Sequence, residues 1–223
     1  MTTFDLSKQT VRELNAHLHQ TVNGDIAVVN PGGRHAVAVG AVDNHKVNIE
    51  GNVGYYCAGM NASAEILVNG HAGPGLAENM MSGTVRVSGN ASQYCAATAH
   101  GGLVVIEGDA SSRCGISMKG VNIVVNGNVG HMSAFMAQKG ALVVCGDAGD
   151  ALGDSIYEAQ LFVAGSVSSL GADCEEKEMD AGARDLLGQL LEQSRCSKPV
   201  NEFKRYGSAR KLYHFKVDNA SDY

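Results

Sequence analysis

The sequence predicts an all-β fold, a right-handed parallel β-helix of about eight coils of 19 residues, closed at both ends by short helices. Three observations predict it. Glycine recurs every 19 residues, at Gly51, Gly70, Gly89, Gly108, Gly127, Gly146 and Gly165, with Gly32 one step further back. Aliphatic residues stand four and two positions before each of the first seven. The apolar content of the 223-residue chain is mostly small or β-branched, with 5% aromatic residues, no Trp and 28 Gly. That composition suits stacked strands and tight turns better than a core built on large rings.

Each position of the unit has a physical reading. Val47, Ile66, Val85, Val104, Ile123, Leu142 and Leu161 stand four before the glycine; Ile49, Val68, Val87, Ile106, Val125, Val144 and Val163 stand two before it. Two always-aliphatic positions, two apart, are one inward face of a short strand. The glycine marks a turn that needs positive φ or a close backbone approach. One after it stand Asn52, His71, Asn90, Asp109, Asn128, Asp147 and Ser166. Short polar side chains there can bond neighbouring backbone, and stacked Asn can form amide ladders. Seven after it come Ala58, Ala77, Ala96, Gly115, Ala134, Gly153 and Ala172, small enough for tight inward corners. At about 4.8 Å per coil the stack would be roughly 38 Å long. A β-propeller blade needs about 40 residues, two units per blade, against which the single-unit period argues. Another type of solenoid stays open.

The open ends of a β-helix must be covered. Residues 1–25 read as an N-terminal helical cap: Thr10 and Glu13 form a capping box, and Val11, Leu14 and Leu18 share a helical face. Residues 26–179 are the β-helix. Residues 180–223 read as a C-terminal helix, with Leu186, Leu187, Leu190 and Leu191 as its apolar stripe, followed by a basic tail. The tail segment 198–216 holds six basic residues against one acid, which leaves −11 on the rest of a chain whose total is −6. It is expected to dock on a partner or wrap the acidic body, since Phe203, Tyr206, Leu212, Tyr213 and Phe215 are interleaved with its cations.

One strand column should face outward yet is mostly apolar: Asn48, Leu67, Arg86, Val105, Val124, Val143 and Phe162. Val105, Val124, Val143 and Phe162 are therefore expected to lie under a partner protein or the chain's own tail. With Arg205, Tyr206 and Arg210 of the tail they are the candidate partner interface.

Catalytic chemistry is hard to find. The six Cys include no C-x-x-C pair; Cys57, Cys95 and Cys114 share one column and read as stacked small buried side chains. His71, His100 and His131 fall in different columns, so no metal face assembles. His35 follows a Pro-Gly-Gly turn and reads as a turn residue before a ligand. Glu78, Asn79, Arg113 and Lys119 are candidates for a groove or a coil edge. There is no P-loop and no strand–GxGxxG–helix unit. The net charge is no match for nucleic acid. No run of about 20 apolar residues spans a membrane, and the opening "MTTFDLSKQTVREL" has no charged-then-apolar pattern. The expectation is a cytoplasmic protein with its cysteines as thiols.

The stretches "GNVGYYCAGMN", "GHAGPGLAENMMSG", "SRCGISMKG" and "GNVGHMSAFMAQKG" resemble the GXGXG domain, the right-handed β-helix that ends the large subunit of glutamate synthase. The resemblance covers about residues 26–179. "NPGGRHAVAVG", "GDSIYEA" and the tail "RYGSARKLY" further resemble the stand-alone glutamate-synthase-like proteins, a group that includes the GXGXG component of N-methylglutamate synthase. A similar β-helix forms one component of formylmethanofuran dehydrogenase. The resemblance implies a non-catalytic structural subunit that packs against a glutamine amidotransferase-like chain and an FMN- and iron–sulfur-binding synthase-like chain. It implies no catalytic, cofactor or metal ligand here, because an amidotransferase of that class needs a Cys where this chain has Thr2. The alternatives are the equivalent component of a formylmethanofuran dehydrogenase or formyltransferase–hydrolase complex, and a free-standing β-helix binding module. An enzyme acting in a β-helix groove would want a row of acidic or basic residues along stacked coils, and the columns show none.

Overall fold

The computed structural model describes residues 1–20 and 23–210. Its elements are β1 (Thr2–Asp5), α1 (Val11–Leu18), β2 (Asp25–Val29), β3 (Lys46–Glu50), β4 (Glu65–Asn69), β5 (Thr84–Val87), β6 (Leu103–Ile106), β7 (Lys119–Val125), β8 (Lys139–Val144), β9 (Gln160–Val163), β10 (Cys174–Lys177), α2 (Ala181–Ser194) and β11 (Lys204–Ser208). Strands β1 to β9 lie side by side in chain order and all pair in parallel; β11 then pairs antiparallel with β9, and β10 with β11. The chain is a parallel β-solenoid whose turns run from β2 to β9.

The 19-residue register is literal through the middle of the stack: Val47 faces Ile66, Val85 faces Val104, and Ile123 faces Leu142. Both inward columns are buried from end to end. A second rung column runs Val53, Ala72, Ala91, Ala110, Val129, Ala148 and Val167, one parallel bridge to the next. The end coils depart from the period. Ile26 of β2 faces Val47, 21 residues later, so Asn30 (φ 55), and not Gly32, stands where Gly51 stands one coil on. In the last unit Leu152 pairs with Leu170 and the N–H of Gly171 bonds Leu152 O, so Gly171 takes the corner expected for Ala172, which is exposed.

The recurring glycine and the polar residue after it form one device. Asn90 Oδ1 accepts the backbone N–H of Asp109 at 2.9 Å, Asp109 Oδ1 that of Asn128 at 2.7 Å, and Asn128 Oδ1 that of Asp147 at 2.7 Å. His71 joins through Nδ1, which accepts from Asn90 N–H at 3.0 Å. Amide does not stack on amide; each side chain serves the next coil's backbone, so one acceptor atom suffices and Asn, Asp and His interchange. To arrive there, the side chain crosses the space of the next glycine's absent Cβ. A Cβ on Gly108 would meet Asn90 Oδ1 at 2.0 Å, and one on Gly146 would meet Asn128 Oδ1 at 2.3 Å. Close approach, not positive φ, fixes glycine in this column beyond Gly51 (φ 125).

The opposite stretch of each coil is neither helix nor strand. In six consecutive units the residues five, seven and nine after the glycine have left-handed backbone, as Tyr94 (φ 62), Ala96 (φ 54) and Thr98 (φ 54) do. Tyr94 N–H bonds Ser112 O of the following coil, Ala96 N–H bonds Leu76 O of the preceding coil, and Thr98 N–H turns back to Ile116 O. Left-handed backbone costs an L-residue about 1–2 kcal/mol. Here it is held because each N–H is tied to the coil above or below. The column seven after the glycine is small because its side chains are also fully buried, as at Ala58, Ala77 and Ala96.

At the N-terminal end, α1 starts at Thr10, whose side chain caps Glu13 N–H while the Glu13 carboxylate returns to Thr10 N–H at 2.7 Å. Its Leu14 and Leu18 are buried with Phe4 and Leu6. Asn15 pins the helix to the first coil, donating to Ala36 O at 2.8 Å and accepting from Val39 N–H at 3.1 Å.

Candidate interaction surface

The outward apolar column is buried within the chain itself. Val124, Val143 and Phe162 pack with Ala183, Leu187, Leu190 and Leu191 of α2 and with Phe203 in a second core outside the solenoid. Val105 is fully buried as well. The stripe that suggested a partner is thus covered by the chain's own C-terminal segment.

Both ends of α2 are held by arginines. Asp180 caps the start, accepting Ala183 N–H at 2.8 Å, and Arg205 reaches its other oxygen at 2.6 Å. Those two contacts, the amide first, hold the Asp180 carboxyl below its usual range. At the far end Arg195 turns left-handed (φ 63), its N–H bonding Glu192 O while Cys196 N–H bonds Leu191 O. This 5→2 and 6→1 pairing is a Schellman cap. Arg86, one step along the outward column, donates to Ser194 O at 3.0 Å and to Gln193 O at 3.3 Å, and also pairs with Glu107. A cation on the last carbonyls is the favourable end of the helix dipole.

The described part of the basic tail wraps the body. Arg205 sits opposite Phe162 and Tyr206 opposite Leu161 in the β9–β11 pairing, and Tyr206 is buried. Burial, with Glu176 beside it, pushes the Tyr206 phenol up. Arg210 bonds both carboxylate oxygens of Glu158 at 2.9 Å. Leu212, Tyr213 and Phe215 lie outside the described residues.

What α2 leaves uncovered is a groove of about 710 Å³ on the same strand face, across β4 to β7. Glu65, Leu67, Arg86, Leu103, Asn122 and Arg195 are among its lining residues. Tyr55, Met60 and Met81 stand exposed on the coil corners. Sequence reasoning places Leu67 and Arg86 in the outward column; Arg195 and Asn122 give no signal, because one is brought in by a helix end and the other by strand register. Glu78, Asn79, Arg113 and Lys119 do not line this groove. Asn79 and Arg113 hold left-handed backbone instead, and burial raises the Glu78 carboxyl.

The groups that could do chemistry are largely engaged in structure. His35 Nδ1 accepts Tyr55 N–H at 2.8 Å, the turn role expected of it. His45 is an exception, buried with neither ring nitrogen partnered, 6.5 Å from His17 between ring centroids. Cys57, Cys95 and Cys114 are fully buried in their column. The six cysteines do not converge on one point, so they do not fit the four-thiolate set of an iron–sulfur cluster. Among the described residues no group of three or more His, Cys, Asp or Glu could hold a metal ion, and no helix is long and apolar enough to cross a membrane.

No family model matches the sequence. The chain is 59% identical to Protein GlxC of Rhizobium meliloti (strain 1021), over the whole of both chains. It belongs to the GlxC family. The likeness spans the terminal segments as well as the coils.

Proposed function

We propose that this chain is a non-catalytic structural subunit of a glutamate-synthase-like enzyme complex. In its specific form the complex is N-methylglutamate synthase, which joins methylamine to glutamate. The partners are a glutamine amidotransferase-like chain and an FMN-binding synthase-like chain that also carries the iron–sulfur cluster. The observation that carries this reading is the use made of the polar residues: Asn52, His71, Asn90, Asp109, Asn128 and Asp147 each present a side-chain acceptor to the next coil's N–H. Acceptors engaged in this way hold coils together and are not poised to move protons for a substrate. The groove beside α2, with Arg86 and Arg195 on its wall, is the surface offered to a partner.

Co-expression tests this. The chain, produced with the amidotransferase-like and FMN-binding chains of its own genome, should co-elute with both as one species. Methylamine-dependent product should need all three. Turnover of glutamine or glutamate by the chain alone, or its elution apart from both partners, would overturn the proposal.

A further inference from the structure

We infer that Cys145 and Cys196 form an oxidisable dithiol that locks α2 onto the solenoid. The two sulfurs lie 3.2 Å apart, one at the end of β8 and the other just past α2. Neither position is accidental. Cys145 stands directly before Gly146, where other units carry Glu107 or Asn126, polar and facing outward. Here α2 covers the face, and a small thiol fits beneath it. Cys196 is held by the Schellman cap, its own N–H bonded to Leu191 O at 2.9 Å, while Arg86 holds Ser194 O from the other side. Backbone on both sides is therefore fixed, and the sulfurs must close only from 3.2 Å to the bonded distance of about 2.05 Å. Cys95 and Cys114 are also neighbours, but both are fully buried and closed to an oxidant. Cys196 is half-exposed and Cys145 almost covered, which sets the order of events.

The co-reactant is a small disulfide such as oxidised glutathione. The Cys196 thiolate attacks one of its sulfurs, breaking that S–S bond and releasing one glutathione thiolate. Cys145 then gives up its proton to that thiolate and attacks Cys196 Sγ, expelling the second. Two thiols lose two electrons, one disulfide gains them, and the leaving groups are two glutathione thiols. The new bond closes a loop across 51 residues, enclosing β9, β10 and α2. It would fasten the cover over Val124, Val143 and Phe162.

The full-length chain is incubated with excess oxidised glutathione, quenched, and mapped by peptide mass spectrometry with intact mass and thermal melting alongside. The expected result is loss of two hydrogens, a peptide linking Cys145 to Cys196, and a melting midpoint raised by about 10 °C. Cys145→Ser and Cys196→Ser should each abolish the link and the shift, and Cys174→Ser should keep both. The wild-type map stands on its own if a serine variant folds poorly. A link through any other cysteine, a glutathione adduct that persists without closing, a covalent dimer, or an unchanged mass overturns the inference.

Discussion

Replacing Gly127 by alanine should damage the stack out of proportion to one methyl group. The new Cβ would lie 2.2 Å from Asp109 Oδ1, 2.8 Å from Gly108 O and 2.9 Å from Gly108 C. Two things must give. The Asp109 side chain must swing off, losing its bond to Asn128 N–H, worth about 1 kcal/mol net. The two backbones must also part by a few tenths of an ångström, an overpacking strain of about 1–3 kcal/mol. The expected loss is about 2–4 kcal/mol, read as the shift in urea midpoint by circular dichroism. Gly24→Ala is the control: nothing lies within 4 Å of its Cβ, so it should cost under about 0.5 kcal/mol. Asp109→Ala supplies the cycle. In that background Gly127→Ala should cost about 1 kcal/mol less, because the side chain it would strike is gone. Equal losses for Gly127→Ala and Gly24→Ala, or strict additivity of Gly127→Ala with Asp109→Ala, would refute the reasoning.

Other outcomes follow from the same geometry. Leu187→Ala should cost about 2–5 kcal/mol and speed amide exchange across α2 before the coils respond, because Leu187 is fully buried on the outer core; simultaneous exchange of helix and coils would count against a separate outer core. Met60→Asn should raise the melting midpoint by about 2–3 °C, since Met60 is exposed, left-handed (φ 56) and of a type that pays for that backbone without return; a lower midpoint would mean the Met side chain packs. His45→Leu should be neutral or stabilising by about 1 kcal/mol, because its ring nitrogens are buried without partners; a clear loss would show that the ring holds one. The depressed carboxyls of Asp147 and Asp180 contribute stability above the unfolded value near 3.8 that is lost as pH falls through their lower folded values. Asp180→Asn keeps an N-cap but removes one titration, so its urea midpoint should fall less between about pH 5 and about pH 3 than the wild type's; an identical fall would remove Asp180 from the account.

The coils are legible in the sequence because a stack repeats its demands: an inward aliphatic at every Val47 or Ile49 position, and a glycine wherever a side chain crosses. Legibility fails where the demand is met once. Gly32 and Ala172 sit on the 19-residue comb, yet the end coils are longer and shorter, so Asn30 and Gly171 take those places. Strands β1 and β11 give no sequence signal, since "TTFD" and "KRYGS" carry no alternation of their own and are strands because an open edge accepts them. Left-handed alanines cannot be read, for Ala has no preference for that backbone; the hydrogen bonds of adjacent coils impose it. Val124 and its column are legible as covered, but not by what. Only the fold brings Leu187 into one core with Val143, and only the seating of α2 brings Cys196 to Cys145.

The acceptor ladder also gives the molecule a direction. Asn90 serves Asp109, Asp109 serves Asn128, and none reaches back. A finished coil therefore presents a row of ready acceptors to the coil made after it, in the order in which a ribosome releases the chain. A chain shortened from its C-terminus leaves every ladder N–H of the earlier coils with its side-chain acceptor. One shortened from its N-terminus leaves the first remaining coil asking for a partner that was never made.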